Sequence, residues 1–187
     1  MDERRWITSV LAGDMQCFAC LVAKYEKMAY TIAFRIMGNR EDAEEVAQDA
    51  FLKMYRALPE FKFESKFSSW FYRIVYLTAL TALRSQQVFS DYDEVATVDV
   101  SLAEEEMATL LLEQKDRKEI ISKVLTELPK EEALLLTLYY LEECSVEEIC
   151  QITDFTASNV KTKLFRARKH FYVVLEKRMK CEMKSLL

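Results

Sequence analysis

Residues 145–170 read SVEEICQITDFTASNVKTKLFRARKH, and they outline two short helices separated by the tripeptide DFT. Ser145 and Glu148 have the spacing of a capping box, in which each side chain binds the other residue's backbone N–H at a helix start. The first helix has an apolar face made of Val146, Ile149 and Ile152. A second helix is predicted to begin near Thr156. Two short helices at this spacing predict a helix-turn-helix.

The second of these helices presents polar and basic side chains to solvent once its apolar stripe faces inward. The stripe consists of Val160, Leu164, Ala167 and Phe171. The side chains left for solvent are Ser158, Asn159, Lys161, Thr162, Lys163 and Arg166. Short polar groups at a helix tip can reach base edges while Lys and Arg hold phosphates, so we expect DNA binding. An ordinary solvated basic helix is the alternative, and the capped helix in front of it weakens that alternative.

The whole chain is poor in the residues that make tight turns, with two glycines and two prolines among 187 residues. Because hairpins depend on such turns, and because helix-forming residues are abundant, the composition predicts an all-α fold. The net charge of −5 is unfavourable for a nucleic-acid binder, but residues 161–180 carry eight Lys or Arg against the single Glu176. Basic charge is therefore concentrated in the last helix.

Several classes of protein are disfavoured by what the sequence lacks. The N-terminus has no apolar run of signal-peptide length, and the longest apolar block, residues 133–141, is too short to span a bilayer. We therefore expect a cytoplasmic protein without membrane insertion, whose five cysteines are reduced thiols. Cys17 and Cys20 form a lone C-x-x-C with only His170 to add, so no metal site and no cofactor are predicted. No nucleophile motif or phosphate-binding loop occurs, and an enzyme is not expected.

Three further helices are predicted in the N-terminal half. Apolar residues recur at helical spacing over residues 18–36, with Asp14 as a candidate N-cap and Gly38-Asn39 as a stop. The next helix is expected to end at Pro59, and another covers residues 70–83.

Residues 85–103 lose helical periodicity and gather acidic and β-branched side chains, which is typical of a linker. Helical character returns after Ser101, which has capping-box spacing with Glu104. The fold class is therefore expected to be all-α, with two small helical domains, residues 1–84 and 104–187, joined by a flexible acidic linker. The second domain contains the helix-turn-helix.

Aromatic and basic side chains are crowded between residues 61 and 73, which read FKFESKFSSWFYR. Rings on the helical part, such as Trp70 and Phe71, are expected to pack in the core. The loop before it combines rings with cations and resembles a surface that stacks unpaired bases and neutralises phosphates. The candidate residues for this chemistry are Phe61, Lys62, Phe63, Lys66, Phe67, Ser68 and Arg73.

A polar stripe at helical spacing precedes this loop. It consists of Asp42, Glu45, Gln48, Asp49 and Lys53, with the apolar pair Phe51 and Leu52 beside it. An apolar pair flanked by charged groups fits an interface core with a polar rim. A solvated helix face is the alternative interpretation.

Residues 128–168 resemble the fourth conserved region of the extracytoplasmic-function (ECF) group of bacterial sigma factors. The matching features are Leu128-Pro129, Glu143, the run 145–149 (SVEEI) and the run 160–168 (VKTKLFRAR). Residues 13–61 are similar to the second region of the same family, from Gly13-Asp14 through the segment DAEEVAQDAF at 42–51. The resemblance covers nearly the whole chain, with both regions in the expected order.

This resemblance implies a dissociable specificity subunit that directs bacterial RNA polymerase to promoters and initiates transcription in response to a stress or envelope signal. It implies that residues 1–84 bind core polymerase and melt the minus-ten element, and that residues 104–187 read the minus-thirty-five element. The polar stripe would dock on the β′ clamp helices, the second domain would contact the β flap, and the aromatic loop would hold the melted strand. The minus-thirty-five set would also include Thr156 and Arg168. An anti-sigma protein is an implied partner.

The sequence departs from the family pattern at a few positions. Leu77 and Thr81 replace an Asn and an Asp on the helix after the aromatic loop, and Ser85-Gln86-Gln87 replaces a basic run. These changes put the minus-ten contacts of that helix in question. Asp154 stands where a turn glycine is common, and because Asp tolerates the left-handed conformation we expect the turn to survive.

Two other functions compete with an initiating sigma factor. A sigma-like decoy would bind an anti-sigma protein without touching promoters, which Leu77 and Thr81 favour and the basic cluster of residues 161–168 disfavours. A free-standing helix-turn-helix repressor would bind DNA alone with a steep salt dependence. It would not explain the N-terminal half, which resembles the polymerase-binding region of sigma factors.

Overall fold

The computed structural model describes residues 3–89 and 112–185, and every regular element in these ranges is helical. The helices are α1 (Glu3–Leu11), α2 (Met15–Met37), α3 (Arg40–Ala57), α4 (Phe67–Phe89), α5 (Leu112–Thr126), α6 (Lys130–Leu136), α7 (Val146–Thr153) and α8 (Ala157–Ser185). A short 3-10 turn, Leu58–Glu60, follows α3, and a π-helical turn, Thr137–Leu141, follows α6. The predicted all-α fold is confirmed.

The helix ends are set by side chains that the sequence indicates. Asp14 accepts hydrogen bonds from the backbone N–H groups of Gln16 and Cys17 at the start of α2. Gly38 ends that helix in the left-handed conformation, with a φ of 88°. Ser145 and Glu148 form both bonds of the predicted capping box at the start of α7. These caps satisfy orphan backbone groups, which is why the boundaries agree with the local sequence.

The first four helices surround one apolar core. α2 packs against both α3 and α4, and α1 lies on α2. Fully buried side chains at the centre include Leu21, Ile32, Met54, Phe71 and Val75. The arrangement leaves the outer face of α3 and the loop before α4 at the surface of this half.

The last four helices form a second cluster that carries the helix-turn-helix. α6 and α7 pack against α8, with Leu135, Ile149 and Val160 fully buried between them. Asp154 ends α7 in the left-handed conformation, with a φ of 61°, and its N–H donates to the Cys150 carbonyl. The expectation that the turn survives without glycine is confirmed.

Helix α4 is longer at both ends than the predicted span of residues 70–83. It reaches Phe89, so residues 85–89 are helical although the sequence pattern assigned them to the linker. No Gly or Pro interrupts this stretch, and Gln86 donates a hydrogen bond to the Asp42 carboxylate at 2.7 Å, which ties the extension to α3. Residues 90–103 of the linker and the capping box at Ser101 lie outside the described residues.

The two halves pack against each other as well as internally. α4 contacts α7, α2 contacts α6, and the buried apolar residues of both halves belong to one continuous cluster. Within the described ranges, no helix has the length and apolar character needed to cross a membrane.

Candidate nucleic-acid and polymerase interfaces

The structure brings the predicted polar stripe together on the outer face of α3. Four of its five members, Glu45, Gln48, Asp49 and Lys53, are exposed, and Asp42 is half-buried. Of the apolar pair beside the stripe, Leu52 is exposed, and Phe51 is half-buried because its ring packs on Phe71 at a centroid distance of 4.8 Å. Leu52 is 55% exposed, so a large apolar side chain stands among charged groups with nothing covering it. This combination is typical of a docking surface.

Asp42 begins this face and is held in a fixed orientation. Its carboxylate accepts hydrogen bonds from the side-chain amides of Asn39, at 2.5 Å, and Gln86, at 2.7 Å. These two bonds hold the pKa of Asp42 below its usual value, and the Asn39 bond has the larger effect. In the groove between α3 and α4, Lys53 Nζ donates to Thr78 Oγ1 at 3.2 Å, so α4 orients part of the α3 stripe. The sequence did not indicate this support from α4.

The aromatic loop divides between core and surface. Phe61 and Phe67 are buried, with exposures of 8% and 2%. The expectation that these two rings stack bases is therefore wrong for this arrangement, because they pack on each other at 5.5 Å and on Trp70. Their burial follows from the start of α4 at Phe67, which turns that ring onto the core side of the helix. The loop keeps one exposed ring, Phe63.

Phe63 has a backbone conformation that is unusual for a bulky residue. Its φ is 58°, in the left-handed region where side chains of this size are rarely found. The ring packs on Phe61 at 4.8 Å, and the Arg4 guanidinium lies over it at 4.7 Å from the centroid. A strained residue with an exposed ring beside cations is a recognised marker of a functional loop.

The cations of this surface differ in whether they pair with a carboxylate of the chain. Lys62 is exposed and Ser68 is half-buried on the first turn of α4. Lys66 pairs with Glu148 at 2.9 Å. Arg73 donates to both carboxylate oxygens of Asp154, at 2.7 and 2.9 Å. Lys66 and Arg73 are therefore held by the first helix of the helix-turn-helix and its turn.

Three more bonds join α4 to α7 and to the segment before it. Tyr72 donates its hydroxyl hydrogen to Glu142 at 2.6 Å, and Ser69 bonds Glu148 at 3.4 Å. Arg73 also donates to the Gln151 carbonyl at 2.5 Å. Sequence reasoning missed these partners because they lie 70 to 81 positions apart in the chain. No local periodicity carries a signal over that separation.

The tip of α8 presents the residues predicted to contact upstream DNA. Thr156, Ser158, Asn159, Lys161, Thr162 and Arg166 are exposed. Thr156 Oγ1 accepts from the Asn159 N–H at 3.3 Å and so caps the helix that carries the others. The remaining two members are half-buried. Lys163 pairs with Glu131 and lies over the Phe155 ring, and Arg168 donates to the Tyr140 hydroxyl at 3.3 Å.

The two positions that depart from the family pattern face solvent on α4. Leu77 is 41% exposed, and Thr81 is exposed with its hydroxyl donating to the Leu77 carbonyl at 2.8 Å. Thr81 therefore uses its hydrogen on its own helix. An apolar residue and a self-satisfied hydroxyl offer little polar chemistry to a base on this face.

An apolar groove in the second half was not singled out from the sequence. It encloses about 350 Å³ between α5, the π-helical turn and α8. The principal lining side chains are Ile121, Tyr140, Leu141, Phe171 and Tyr172. Tyr140 and Leu141 are each 52% exposed, and they end the apolar block at residues 133–141, which is longer than the buried face of α6 requires. That excess of apolar residues was the available signal.

The C-x-x-C pair lies on the first two turns of α2. The Cys17 thiol donates to Asp14 at 3.2 Å, and this bond raises the pKa of the thiol above its usual value. A raised pKa disfavours the thiolate that metals require. Among the described residues, no group of three or more potential ligands forms a metal site.

Comparison with known proteins gives matches in both halves. Residues 21–88 match the family "Sigma-70 region 2", and residues 118–171 match "Sigma-70, region 4". The chain is 31% identical to the ECF RNA polymerase sigma factor SigW of Bacillus subtilis (strain 168), covering 90% of this chain and 94% of that protein. It is also 31% identical to the ECF RNA polymerase sigma-E factor of Escherichia coli (strain K12), over 90% and 92% of the two chains.

Solved structures agree on the fold. The sigma factor RpoE from Bartonella quintana, in complex with the anti-sigma factor NepR, has a TM-score of 0.68 at 18% identity and covers 85% of this chain and 96% of its own. CnrH in complex with the cytosolic domain of CnrY has a TM-score of 0.62 at 19% identity, over 94% and 97%. With both regions matched in order and relatives aligned along nine-tenths of the sequence, the chain belongs to the ECF family of RNA polymerase sigma factors.

Proposed function

We propose that this sigma factor divides its work between its two halves. Membership of the family assigns the chain the general role of directing RNA polymerase to promoters and starting transcription. The α1–α4 half would bind core polymerase and the minus-ten element, and the helix-turn-helix would read the minus-thirty-five element. The observation that carries this division is the separation of two exposed surfaces: the charged and apolar face of α3, and the polar and basic tip of α8.

The α3 face is the proposed contact with the β′ clamp helices. Leu52 supplies an uncovered apolar centre, and Glu45, Gln48, Asp49 and Lys53 supply a polar rim. Such an arrangement stabilises a protein interface through the buried centre and sets its orientation through the rim. Asp42, fixed by Asn39 and Gln86, extends the rim towards α4.

The loop before α4 is the proposed site for the melted minus-ten strand. Phe63 offers an exposed ring for stacking, and Lys62, Lys66 and Arg73 offer cations for phosphates. Ring stacking combined with cations is how proteins hold single strands with little dependence on base edges. Ser68 lies on the adjoining turn of α4, where its hydroxyl can serve as a further polar contact.

The tip of α8 is the proposed reader of the minus-thirty-five element. Ser158, Asn159 and Thr162 are short polar side chains near the N-terminus of the helix, which is the end that enters the major groove in this motif. Lys161 and Arg166 are exposed beside them and can contact phosphates. Lys163 and Arg168 would contact DNA only after their bonds to Glu131 and Tyr140 break.

The groove between α5, the π-helical turn and α8 is the proposed contact with the β flap. Its lining is apolar and open to solvent, which suits the apolar face of an amphipathic helix. An anti-sigma protein is the proposed regulatory partner, since the sigma factor RpoE, which has the same fold, has been solved with the anti-sigma factor NepR bound. The decoy alternative is not favoured, because the relatives along 90% of the chain are themselves named as polymerase sigma factors.

Run-off transcription with sigma-free core polymerase tests the proposal. The chain is expected to yield defined transcripts from genomic fragments that core alone does not transcribe. Asp49→Arg is expected to weaken core association, with Glu26→Arg as a control that makes the same charge change on the exposed face of α2. Arg166→Ala is expected to weaken upstream promoter binding and spare core association, with Lys177→Ala as its control on the same helix. Equal loss of both steps in Asp49→Arg and Arg166→Ala would contradict the division.

A further inference from the structure

The minus-ten cations are occupied by carboxylates of the chain itself. Arg73 forms a two-pronged pair with Asp154, at 2.7 and 2.9 Å, and Lys66 pairs with Glu148 at 2.9 Å. Two-pronged Arg–carboxylate pairs fix orientation as well as charge. Two of the five guanidinium N–H groups donate to Asp154 and a third donates to the Gln151 carbonyl, so a phosphate oxygen has to compete with Asp154 for the charge and for the paired N–H groups of Arg73.

Asp154 is suited to this role by its unusual position. It occupies the left-handed turn between α7 and α8, with a φ of 61°, where the family resemblance leads one to expect glycine. The backbone conformation projects its carboxylate out of the helix-turn-helix, and 64% of the side chain remains exposed. Glycine at this position would make the same turn and would leave Arg73 without a carboxylate partner, with only its bond to the Gln151 carbonyl.

The contact between the halves has an apolar centre behind these pairs. Tyr72 is 3% exposed and bonds Glu142, and α4 packs along α7. On the other side Lys130 donates to the Met37 carbonyl at 2.8 Å and so places a cation at the C-terminal end of α2. The contact is therefore built from several elements of each half and does not depend on a single surface pair.

One buried charge opposes this contact. Arg35 is 8% exposed, and among the described residues its Nε has no hydrogen-bond partner. The cavity that it lines is completed from the other half by Leu125, Leu128 and Ala133. Separation of the halves would return the guanidinium to water. The pairs that hold the contact are therefore opposed by the cost of burying the Arg35 guanidinium, whose Nε is unsatisfied, and this cost favours opening.

We propose that Glu148 and Asp154 form an interdomain latch that pairs with Lys66 and Arg73 and weakens strand binding by the minus-ten surface until the two halves separate. The latch rests on the proposed function of those two cations as minus-ten contacts. The α3 face and the tip of α8 stay exposed in the closed form, so the protein can bind core polymerase and upstream DNA before the halves separate. Of the proposed strand-holding groups, Lys66 and Arg73 are paired with carboxylates, whereas Phe63 and Lys62 stay exposed.

The test compares the full-length wild type with the double variant Asp154→Asn/Glu148→Gln. Asn tolerates the left-handed turn, and Gln preserves the capping box, so the fold is expected to persist. The matched control is Glu143→Gln/Glu147→Gln, which removes two charges from the same part of the chain at residues that pair with no other described side chain. Small-angle X-ray scattering of the free protein reports the separation of the halves, independently of any DNA or polymerase.

The wild type and the control are expected to be compact, and the double variant is expected to have a larger radius of gyration. A mixed-sequence single-stranded DNA of 20 nucleotides, at low salt, serves as the probe of the released surface. The double variant is expected to bind it roughly three- to tenfold more tightly than the control, because two cations are freed and the closed fraction falls.

An extended wild type, or a double variant as compact as the control, would overturn the latch. Expansion without a gain in DNA affinity would uphold the contact between the halves but overturn the masking, and it would show that the minus-ten assignment of Lys66 and Arg73 is at fault. The scattering and the DNA binding thus separate failure of the latch from failure of the proposed function.

Discussion

Phe63 and Phe67 lie four positions apart in one segment and have opposite surroundings. Phe67 is 2% exposed and packs against Phe61, Trp70 and Tyr25, whereas Phe63 is 37% exposed under the Arg4 guanidinium. The two rings are chemically identical, so their different roles come from their positions alone. One ring stabilises the fold, and the other is available to a ligand.

Alanine substitutions should separate these roles. Phe67→Ala is expected to lower the free energy of unfolding by about 3–5 kcal/mol, because it empties a packed site in the core. Phe63→Ala is expected to cost less, about 1–2 kcal/mol, because 37% of Phe63 is exposed and its ring packs on Phe61 and under the Arg4 guanidinium. Denaturant titration measures both values, and a large loss for Phe63→Ala would place that ring in the core after all.

Phe63→Ala should nevertheless impair promoter melting. Loss of one base–ring stacking contact is worth about 1–3 kcal/mol, so the open complex is expected to become correspondingly less stable. The measurement is the lifetime of the open complex on a promoter identified by run-off transcription, with Leu77→Ala as the control on the adjoining helix. Wild-type lifetimes in Phe63→Ala would show that the exposed ring does not hold the strand.

Glu148 gives a residue-scale prediction about pH. Burial acts to raise its pKa, but the bond from the Ser145 N–H and the pairing with Lys66 outweigh burial and leave the pKa below its ordinary value of 4.5. A carboxyl with a lowered native pKa contributes stability above the unfolded-state pKa, and that contribution is lost as the pH falls through the native value. The difference in unfolding free energy between the wild type and Glu148→Gln should therefore shrink between about pH 5 and pH 3.

Glu147→Gln is the matched control for that measurement, because it removes an exposed charge from the same turn of α7. Denaturant titrations at several pH values would give the two differences side by side. A Glu148→Gln difference that stays constant over this range would contradict the assigned stabilisation of the carboxylate.

At the scale of elements, α7 depends on its cap more than the longer helices do. It has eight residues, which is too short to be stable in isolation, so packing and capping must hold it. The capping box at Ser145 sets its start, and Asp154 sets its end. Because α7 orients α8, a frayed α7 would also misplace the tip that reads DNA.

Ser145→Ala should lower the free energy of unfolding by about 1 kcal/mol through loss of the N-cap. Ser145→Asp retains a capping oxygen and is the control, with near wild-type stability expected. Denaturant titration followed by circular dichroism measures both. Equal destabilisation by Ala and Asp would show that the hydroxyl serves some purpose other than capping.

At the scale of the whole molecule, the shared core couples two halves that the sequence describes as separate. The buried apolar residues of both halves form one cluster, and Tyr72, Arg73 and Lys130 bridge them. Both tryptophans, Trp6 and Trp70, lie in the first half. Their fluorescence therefore reports on that half, whereas circular dichroism reports on helices in both.

Denaturation of the wild type should give coincident transitions by fluorescence and circular dichroism, as expected for a cooperative unit. The double variant Asp154→Asn/Glu148→Gln should separate the two transitions, because it weakens the coupling and leaves each half's own core intact. Separate transitions in the wild type would contradict coupling through the shared cluster.

The sequence by itself determined the all-α class, the positions of the caps, the helix-turn-helix and the family. Asp14, Gly38, Ser145 and Asp154 act through bonds to residues within a few positions, so local pattern is sufficient to find them. The exposed stripe of α3 and the tip of α8 also follow from helical periodicity. These parts of the candidate site needed no tertiary information.

Only the tertiary structure decided which aromatic rings are buried and what the minus-ten cations touch. Phe61 and Phe67 share the composition of an exposed loop, and their burial depends on where α4 begins and how it packs on α2. Arg73 and Asp154 are 81 positions apart. Pairing over that distance is set by the packing of whole helices. The periodicity of the sequence shows which face of a helix a side chain lies on, but it does not show which residue of another helix packs against it.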